Sequence, residues 1–243
     1  MRPFGLTLGL IAVAIATLAL FIAFENRRTS TVVSFPDGVN VLNNGSFEDD
    51  GKHFQPDPTQ GGVMSLTNGS NAIPGWTVVA SPNQEISWIK NGNALGNPGS
   101  VDTTDGSFFL DLTGIHDVID PKTGDSGGVK QAFPTVIGRP YWVTFQIGIF
   151  NPRFHGPINA VATIQSGDQN VPIPCGPFNP PDPANQWMTA PPCQGGFTAK
   201  DTTATLTILG IPTNDHNTFT TYIGLDAVSV ECVAPLGIHA NCR

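Results

Sequence analysis

The sequence predicts an all-β protein, an antiparallel β-sandwich of jelly-roll type preceded by an N-terminal hydrophobic helix. The 243 residues include 27 Gly and 22 Pro, and apolar residues alternate with period two between these turn signals. Many short strands joined by turns are typical of sandwiches and jelly rolls. Only 12% of the residues are charged and the net charge is −8, which excludes a coiled coil and a basic nucleic-acid-binding protein.

The hydrophobic helix is predicted at the amino terminus, where residues 4–24 carry no charge. Roughly 18 or more apolar residues can span a bilayer, whereas a secretory core is usually shorter. We interpret residues 1–28 as a signal peptide or an N-terminal membrane anchor and residues 29–38 as a linker. Arginines on both flanks leave the orientation undecided. Membrane contact is predicted only through this segment.

Four cysteines predict two disulfides. None belongs to a C-x-x-C pair, so a structural zinc site is not expected, and three connectivities are open. We favour the local pairs Cys175 with Cys193 and Cys232 with Cys242. The first pair closes a proline-rich insertion, residues 175–193, which we expect to form neither helix nor ladder; the second ties down a tail, residues 234–243. Oxidised cysteines place the protein at the cell surface or outside the cell.

The remaining strands are predicted by alternation within a single domain, residues 39–233. The clearest run is 141–150, where every second residue from Tyr141 is apolar and Trp142 and Gln146 face the other side. In the last run, 222–230, the apolar phase shifts beside Asp226, which predicts a β-bulge there. The other predicted strands are 76–80, 85–89, 107–112, 128–133, 160–164 and 203–209.

Seven short motifs follow one another along the chain. They occupy residues 43–48, 74–78, 85–89, 109–114, 127–133, 141–145 and 225–230. This succession, within residues 40–231, resembles the family called domain of unknown function 642 and its bacterial relatives, the choice-of-anchor C proteins. The resemblance implies an exported galactose-binding-like jelly roll, associated in plants with cell walls or extracellular polysaccharide. The chain departs from the pattern at Ala227, where a second acid is common.

The same resemblance suggests a structural calcium ion. It places Glu48, near the first strand, beside Asp226 on the last, and related carbohydrate-binding modules hold calcium at such a junction. Calcium binds carboxylate and carbonyl oxygens, but needs six to eight of them. In the alternative interpretation, Glu48 caps a turn and Asp226 accepts backbone N–H groups at the bulge.

Candidate sugar-binding residues come from the chemistry of glycans. Sugars stack their CH faces on aromatic rings and pair their hydroxyls with amides and carboxylates. Trp142 with Gln146, on the outward face of one strand, meets this need. Trp187 in the proline-rich insertion is a second candidate, and Asp111, which faces away from its apolar neighbours, is a third. Trp76 and Trp88 are expected in the core, and a covering loop over Trp142 is the alternative.

We therefore predict an exported, non-catalytic carbohydrate-binding module that recognises cell-wall or extracellular polysaccharide. One alternative is a structural or adhesion protein of the cell surface with a protein partner, and another is a hydrolase. Ser126 lies in a Gly-Asp-Ser-Gly-Gly string like that of serine proteases, but a triad is defined by geometry. Glycosidases need two opposed carboxylates, and no clear pair stands out.

Overall fold

A computed structural model describes residues 38–58, 61–82, 84–90, 103–114, 126–149, 158–178, 186–187, 193–211 and 223–233. The chain divides into two units, Met1–Phe35 and Pro36–Arg243, and all described residues belong to the second. The predicted signal peptide or anchor, most of the linker and the C-terminal tail lie outside these ranges. Within the ranges, no helix is long and apolar enough to cross a membrane.

The described ranges contain strands and no α-helix. In chain order they are β1 Val63–Thr67, β2 Thr77–Val79, β3 Glu85–Lys90, β4 Phe108–Asp111, β5 Gly128–Pro134, β6 Pro140–Ile149, β7 Ile158–Ser166, β8 Gln169–Phe178, β9 Gln186–Trp187, β10 Cys193–Thr198, β11 Thr203–Gly210 and β12 Gly224–Cys232. All eight predicted strands are present, with shifts of a few residues at their ends.

The strands form two sheets. A seven-stranded sheet has the order β1-β3-β4-β12-β6-β10, with β9 also paired to β6, and a five-stranded sheet has the order β2-β5-β11-β7-β8. The strand pairs are antiparallel, which confirms the predicted all-β sandwich.

The core lies between the two sheets and is built by the predicted alternation. On β6, Tyr141, Val143 and Phe145 are fully buried, and Leu206 and Ile208 of β11 meet them from the opposite sheet within one apolar cluster. Each apolar side chain of this size stabilises the fold by about 1.5–3 kcal/mol when buried. Trp76 and Trp88 are buried in the same cluster, as expected.

The bulge predicted in the last strand is present. The β12–β6 register pairs Asp226 with Gln146 and Ser229 with Thr144, so two residues of β12 face one residue of β6. Ala227, the first of the two, has φ 50°, in the left-handed region. The extra residue returns Val228 to the core and leaves Asp226 on the outward face.

One disulfide joins the two sheets. Cys175 on β8 is bonded to Cys193 on β10, and these strands are the ends of the two sheet orders, so the predicted pair is confirmed. Cys232 is also disulfide-bonded, whereas its predicted partner, Cys242, lies outside the described residues.

The prediction that the proline-rich insertion forms no ladder is wrong at two places. Residues 175–178 continue strand β8 and residues 186–187 form β9. Strand β8 also contains Pro172 and Pro174, which pair with β7. Proline is tolerated there because an edge strand needs backbone donors on one side only.

The first described segment closes the domain against its last strand. Asn40 forms a bridge with Glu231, and the Val41 N–H donates to the Val230 carbonyl at 2.9 Å. The Val228 N–H donates to the Gly45 carbonyl, also at 2.9 Å. Residues 40–45 therefore run along β12, and this placement carries Glu48 towards the bulge.

Candidate functional site

The outward face of the seven-stranded sheet carries the predicted sugar-binding residues. Because opposite residues of an antiparallel pair share a face, the register defines rows across this face. Trp142 of β6 pairs with Gly196 of β10 and with Glu231 of β12. The next row is formed by Thr144 of β6, Gln194 of β10 and Ser229 of β12. We call the exposed and half-buried side chains of these two rows, together with Gln146 of the following row, the open strip: Trp142, Thr144, Gln146, Gln194, Ser229 and Glu231.

Trp142 lies across the backbone of the neighbouring strand. A Cβ at Gly196 would be only 3.0 Å from Cε3 and 3.1 Å from Cζ3 of the indole. A side chain on this residue would push the ring away from the sheet. The absence of a side chain at Gly196 therefore leaves room for the half-buried Trp142 ring against β10.

Polar groups surround this ring. The Ser229 hydroxyl donates to Glu231 Oε1 at 3.0 Å, and Thr144 and Gln194 lie in the same row as Ser229. Trp142 and Gln146 are about 13 Å apart along β6 at the usual strand rise. The open strip thus combines one aromatic ring with hydroxyl, amide and carboxylate groups over a length greater than one sugar ring.

The other half of the same face is buried. Val63, Ile89 and Phe109 occupy outward positions on β1, β3 and β4, yet each has no exposed surface. Asp111 shares this burial, and its Oδ1 accepts hydrogen bonds from the Thr113 N–H at 3.0 Å and the Thr113 hydroxyl at 2.7 Å. A turn after β4 is therefore fixed by Asp111.

Three of the four predicted sugar contacts, Trp142, Gln146 and Asp111, share one face but not one environment. Trp142 and Gln146 lie together on the open strip, whereas Asp111 lies in the buried half. Trp187 is on β9 and pairs with Gly148 of β6. Gly148 is in the same row as Asp111, because both residues pair with Gly224 of β12. A sugar contact by any of the four stays a prediction.

Glu48 and Asp226 both bind the loop that precedes β4. Glu48 Oε1 accepts hydrogen bonds from the backbone N–H groups of Ser107, at 2.7 Å, and Phe108, at 2.6 Å. A Cβ at Gly106, whose φ is 66°, would overlap the Glu48 carboxyl group. Glycine is therefore required for the close approach.

Asp226 binds the other end of the loop. Its Oδ2 accepts hydrogen bonds from the Thr104 N–H at 3.0 Å, the Thr104 hydroxyl at 2.8 Å and the Asp105 N–H at 3.0 Å. Its Oδ1 accepts from the Ala227 N–H at 2.7 Å. Burial raises the pKa of Asp226 to about 6, although the four hydrogen bonds oppose the rise.

The hydrogen bonds to Asp226 bear on the predicted calcium ion. Four N–H and O–H donors point their positive ends at its two oxygens, so a cation at the same oxygens would face those dipoles. Among the described residues, no group of three or more His, Cys, Asp and Glu side chains could hold a metal ion. The contacts match the alternative interpretation, in which both carboxylates accept backbone hydrogen bonds, and the calcium site stays a prediction.

The described part of the protease-like string, residues 126–128, belongs to the fold. Ser126 is 2% exposed, and its N–H donates to the Gly210 carbonyl at 3.0 Å. A Cβ at Gly210 would overlap the Ser126 hydroxyl oxygen. His53, one of the two histidines that precede the string in the chain, is exposed. Burial of its hydroxyl prevents Ser126 from acting as a nucleophile in this conformation.

A family model decides the relationship that the motifs indicated. The model described as "Protein of unknown function (DUF642)" matches residues 40–230, which is more than half of the chain. The chain belongs to the DUF642 family. A search of curated proteins gave no match.

The DUF642 chain is also similar to solved structures at low sequence identity. TmCBM61 in complex with β-1,4-galactotriose is 10% identical, over 80% of this chain and 99% of that chain, with a TM-score of 0.39. The CBM22-1 xylan-binding domain of Paenibacillus barcinonensis Xyn10C is 11% identical, over 72% and 97%, with a TM-score of 0.42. The Clostridium thermocellum xylanase 10B modules with xylohexaose are 13% identical, with a TM-score of 0.40, over 68% of this chain and only 27% of that chain.

Sequence reasoning missed half of the open strip of this DUF642 domain. Gln194 and Gly196 lie on β10, which was not predicted because two adjacent glycines suggest a turn. The buried residues Cys193 and Phe197 give the signal, since they share one phase. Ser229 and Glu231 could have been found from the bulge. After it, the buried residues are Val228 and Val230, so the residues between and after them face outward.

Proposed function

We propose that this DUF642 protein is an exported, non-catalytic module that binds polysaccharide on the open strip. The observation that carries the proposal is the half-buried indole of Trp142 packed against Gly196 on the outward face of the sheet. An aromatic ring held at a sheet surface is the kind of group on which the CH face of a sugar stacks. The neighbouring hydroxyl, amide and carboxylate groups supply the hydrogen bonds that orient a sugar.

Binding without catalysis agrees with the chemistry of the strip. Glycoside hydrolysis uses two carboxyl groups on opposite sides of the scissile bond. Within the open strip, Glu231 is the single carboxylate. Asp226 and Asp111, the nearest others on this face, are buried and accept hydrogen bonds from Thr104 and Thr113.

Export is supported by the cysteines. The Cys175–Cys193 disulfide links the two sheets, and no cysteine of the described residues is free. Such disulfides persist in oxidising compartments, outside the cytoplasm. An exported protein meets the polysaccharides of the cell wall and the extracellular matrix, and these are the ligands that we propose for the open strip.

The test is retention of the full chain on a panel of insoluble polysaccharides, in a detergent without a sugar head group. We expect selective retention that soluble glycan competes. Trp142→Ala should abolish it with little change in melting temperature, whereas Ile137→Ala, which removes an apolar side chain that is 61% exposed, should not. Retention on none of the polysaccharides, or equal retention of Trp142→Ala, would overturn the proposal and favour a protein partner.

A further inference from the structure

The outward face of the seven-stranded sheet has charges of one sign. The ionisable residues that the described strands place on this face are all acidic: Glu85, Asp111, Asp226 and Glu231. Asp111 and Asp226 are fully buried, so Glu85 and Glu231 are the two of the four with exposed surface. The one basic residue of these strands, Lys90, lies in the core phase of β3, with Nζ 5.7 Å from the centre of the Phe108 ring. Net charge of the whole chain, −8, has the same sign.

Glu231 is the member of this set that lies beside the proposed stacking ring. Directly opposite residues of an antiparallel pair have Cβ atoms about 4.5–5.5 Å apart, and Glu231 is opposite Trp142. The hydrogen bond from Ser229 engages Oε1. The side chain is half-buried and therefore in contact with solvent.

A tryptophan beside a carboxylate favours one class of sugar. An ammonium group is attracted to the face of an indole ring and forms an ion pair with a carboxylate. A neutral sugar can use the ring and the hydrogen bonds, but it gains nothing from the charge. A uronic acid brings a second carboxylate next to Glu231, where like charges repel.

From these observations, and resting on the proposed function, we propose that the open strip recognises polysaccharides of amino sugars that carry free, protonated amino groups. Glu231 pairs with the ammonium group of a sugar stacked on Trp142. Polyuronates are disfavoured because their carboxylates are repelled by Glu231.

The test compares three oligosaccharides of equal length: chitosan, its N-acetylated counterpart chitin, and oligogalacturonate. Each is titrated into the full chain under mildly acidic conditions that keep the amino groups protonated, at low salt and at about 1 M salt, where the screening length falls to about 3 Å. We expect chitosan to bind about fivefold more tightly than chitin at low salt, with most of the preference lost at high salt.

Two matched variants locate the effect. Glu231→Gln keeps the hydrogen-bond acceptor for Ser229 and removes the charge, so it should remove the preference for chitosan. Asp168→Asn makes the same charge change at an exposed position between β7 and β8 on the other sheet, and it should keep the preference.

The outcomes separate the two proposals. Equal binding of chitosan and chitin, tighter binding of oligogalacturonate, or an unchanged preference in Glu231→Gln would overturn the amino-sugar proposal and leave polysaccharide binding intact. Binding of none of the three, together with no retention on any polysaccharide, would overturn both.

Discussion

Glu48 and Asp226 hold opposite ends of one loop. Glu48 accepts the N–H groups of Ser107 and Phe108, and Asp226 accepts those of Thr104 and Asp105. One carboxylate follows the first described segment and the other lies on the last strand. The loop before β4 is thus bound by residues from both ends of the domain, 178 positions apart in sequence.

Removal of the Glu48 carboxylate should destabilise the domain. Glu48→Ala leaves two N–H groups without their acceptor, and Phe108 is buried. We expect a loss of about 2–3 kcal/mol in the free energy of unfolding, measured by urea denaturation. Asp49→Ala, at the exposed neighbour that accepts only the Gly51 N–H, is the control and should change stability far less. Similar losses in both variants would contradict the role of Glu48.

Metal removal should leave the domain intact. Because three donors surround Asp226 Oδ2 and a fourth points at Oδ1, we expect no change in melting temperature when a calcium chelator is added. The measurement is differential scanning calorimetry of the full chain with added calcium and with chelator. A melting temperature that falls with chelator and is restored by calcium would show that a metal replaces these hydrogen bonds.

Asp226 should make stability depend on pH. Its pKa is raised from 3.8 to about 6 by burial, so between these values the folded chain holds a proton that the unfolded chain has released. The free energy of unfolding should therefore fall as the pH rises from about 4 to 6, by up to about 3 kcal/mol from this group. Urea denaturation over this range should show a shallower slope for Asp226→Asn. An equal slope in both proteins would refute the assignment.

Ala227 should be replaceable with a gain in stability. A left-handed conformation costs an alanine about 1 kcal/mol or more, whereas glycine adopts it freely. We expect Ala227→Gly to raise the free energy of unfolding by about 0.5–1 kcal/mol after the greater flexibility of unfolded glycine is included. Ala132→Gly, on strand β5 where φ is negative, should lower it. The prediction fails if both variants are destabilised equally.

Two adjacent glycines of β10 should respond differently to a side chain. A Cβ at Gly195 would lie 2.9 Å from Ile173 Cγ1 in the core, whereas a Cβ at Gly196 meets the Trp142 ring. We expect Gly195→Val to lower the melting temperature strongly. Gly196→Val should instead weaken polysaccharide retention at a nearly unchanged melting temperature. Retention by Gly196→Val at the wild-type level would show that the position of the ring is unimportant.

Much of the fold could be predicted because alternation survives in strands with one face buried. The run from Tyr141 shows it clearly, and the change of phase at Asp226 locates the bulge. Strand β8 was not predicted because Pro172 and Pro174 have no backbone N–H group, so the sequence argues against a hydrogen-bonded strand there. Only the position of β8 at the sheet edge makes these prolines acceptable, and edge position is a property of the assembled sheet.

The site was predicted less completely. The phase of β6 identifies Trp142 and Gln146, but their neighbours depend on register between strands that are distant in sequence. Gly196 and Glu231 meet Trp142 only after β10 and β12 have paired with β6. The hydrogen bonds to Glu48 and Asp226 come largely from backbone N–H groups, which every residue type except proline offers, so no side-chain motif reveals them.

The pairing of residues 40–45 with β12 sets the route of mechanical force through the domain. β12 lies beside β6, the strand that carries Trp142. Tension applied at the amino-terminal side, and resisted by a glycan on Trp142, crosses two strand interfaces of a single sheet. The five-stranded sheet and the Cys175–Cys193 bridge lie off this path. If the chain is tethered at its amino-terminal side and holds a glycan on Trp142, the load would enter and leave through the same sheet.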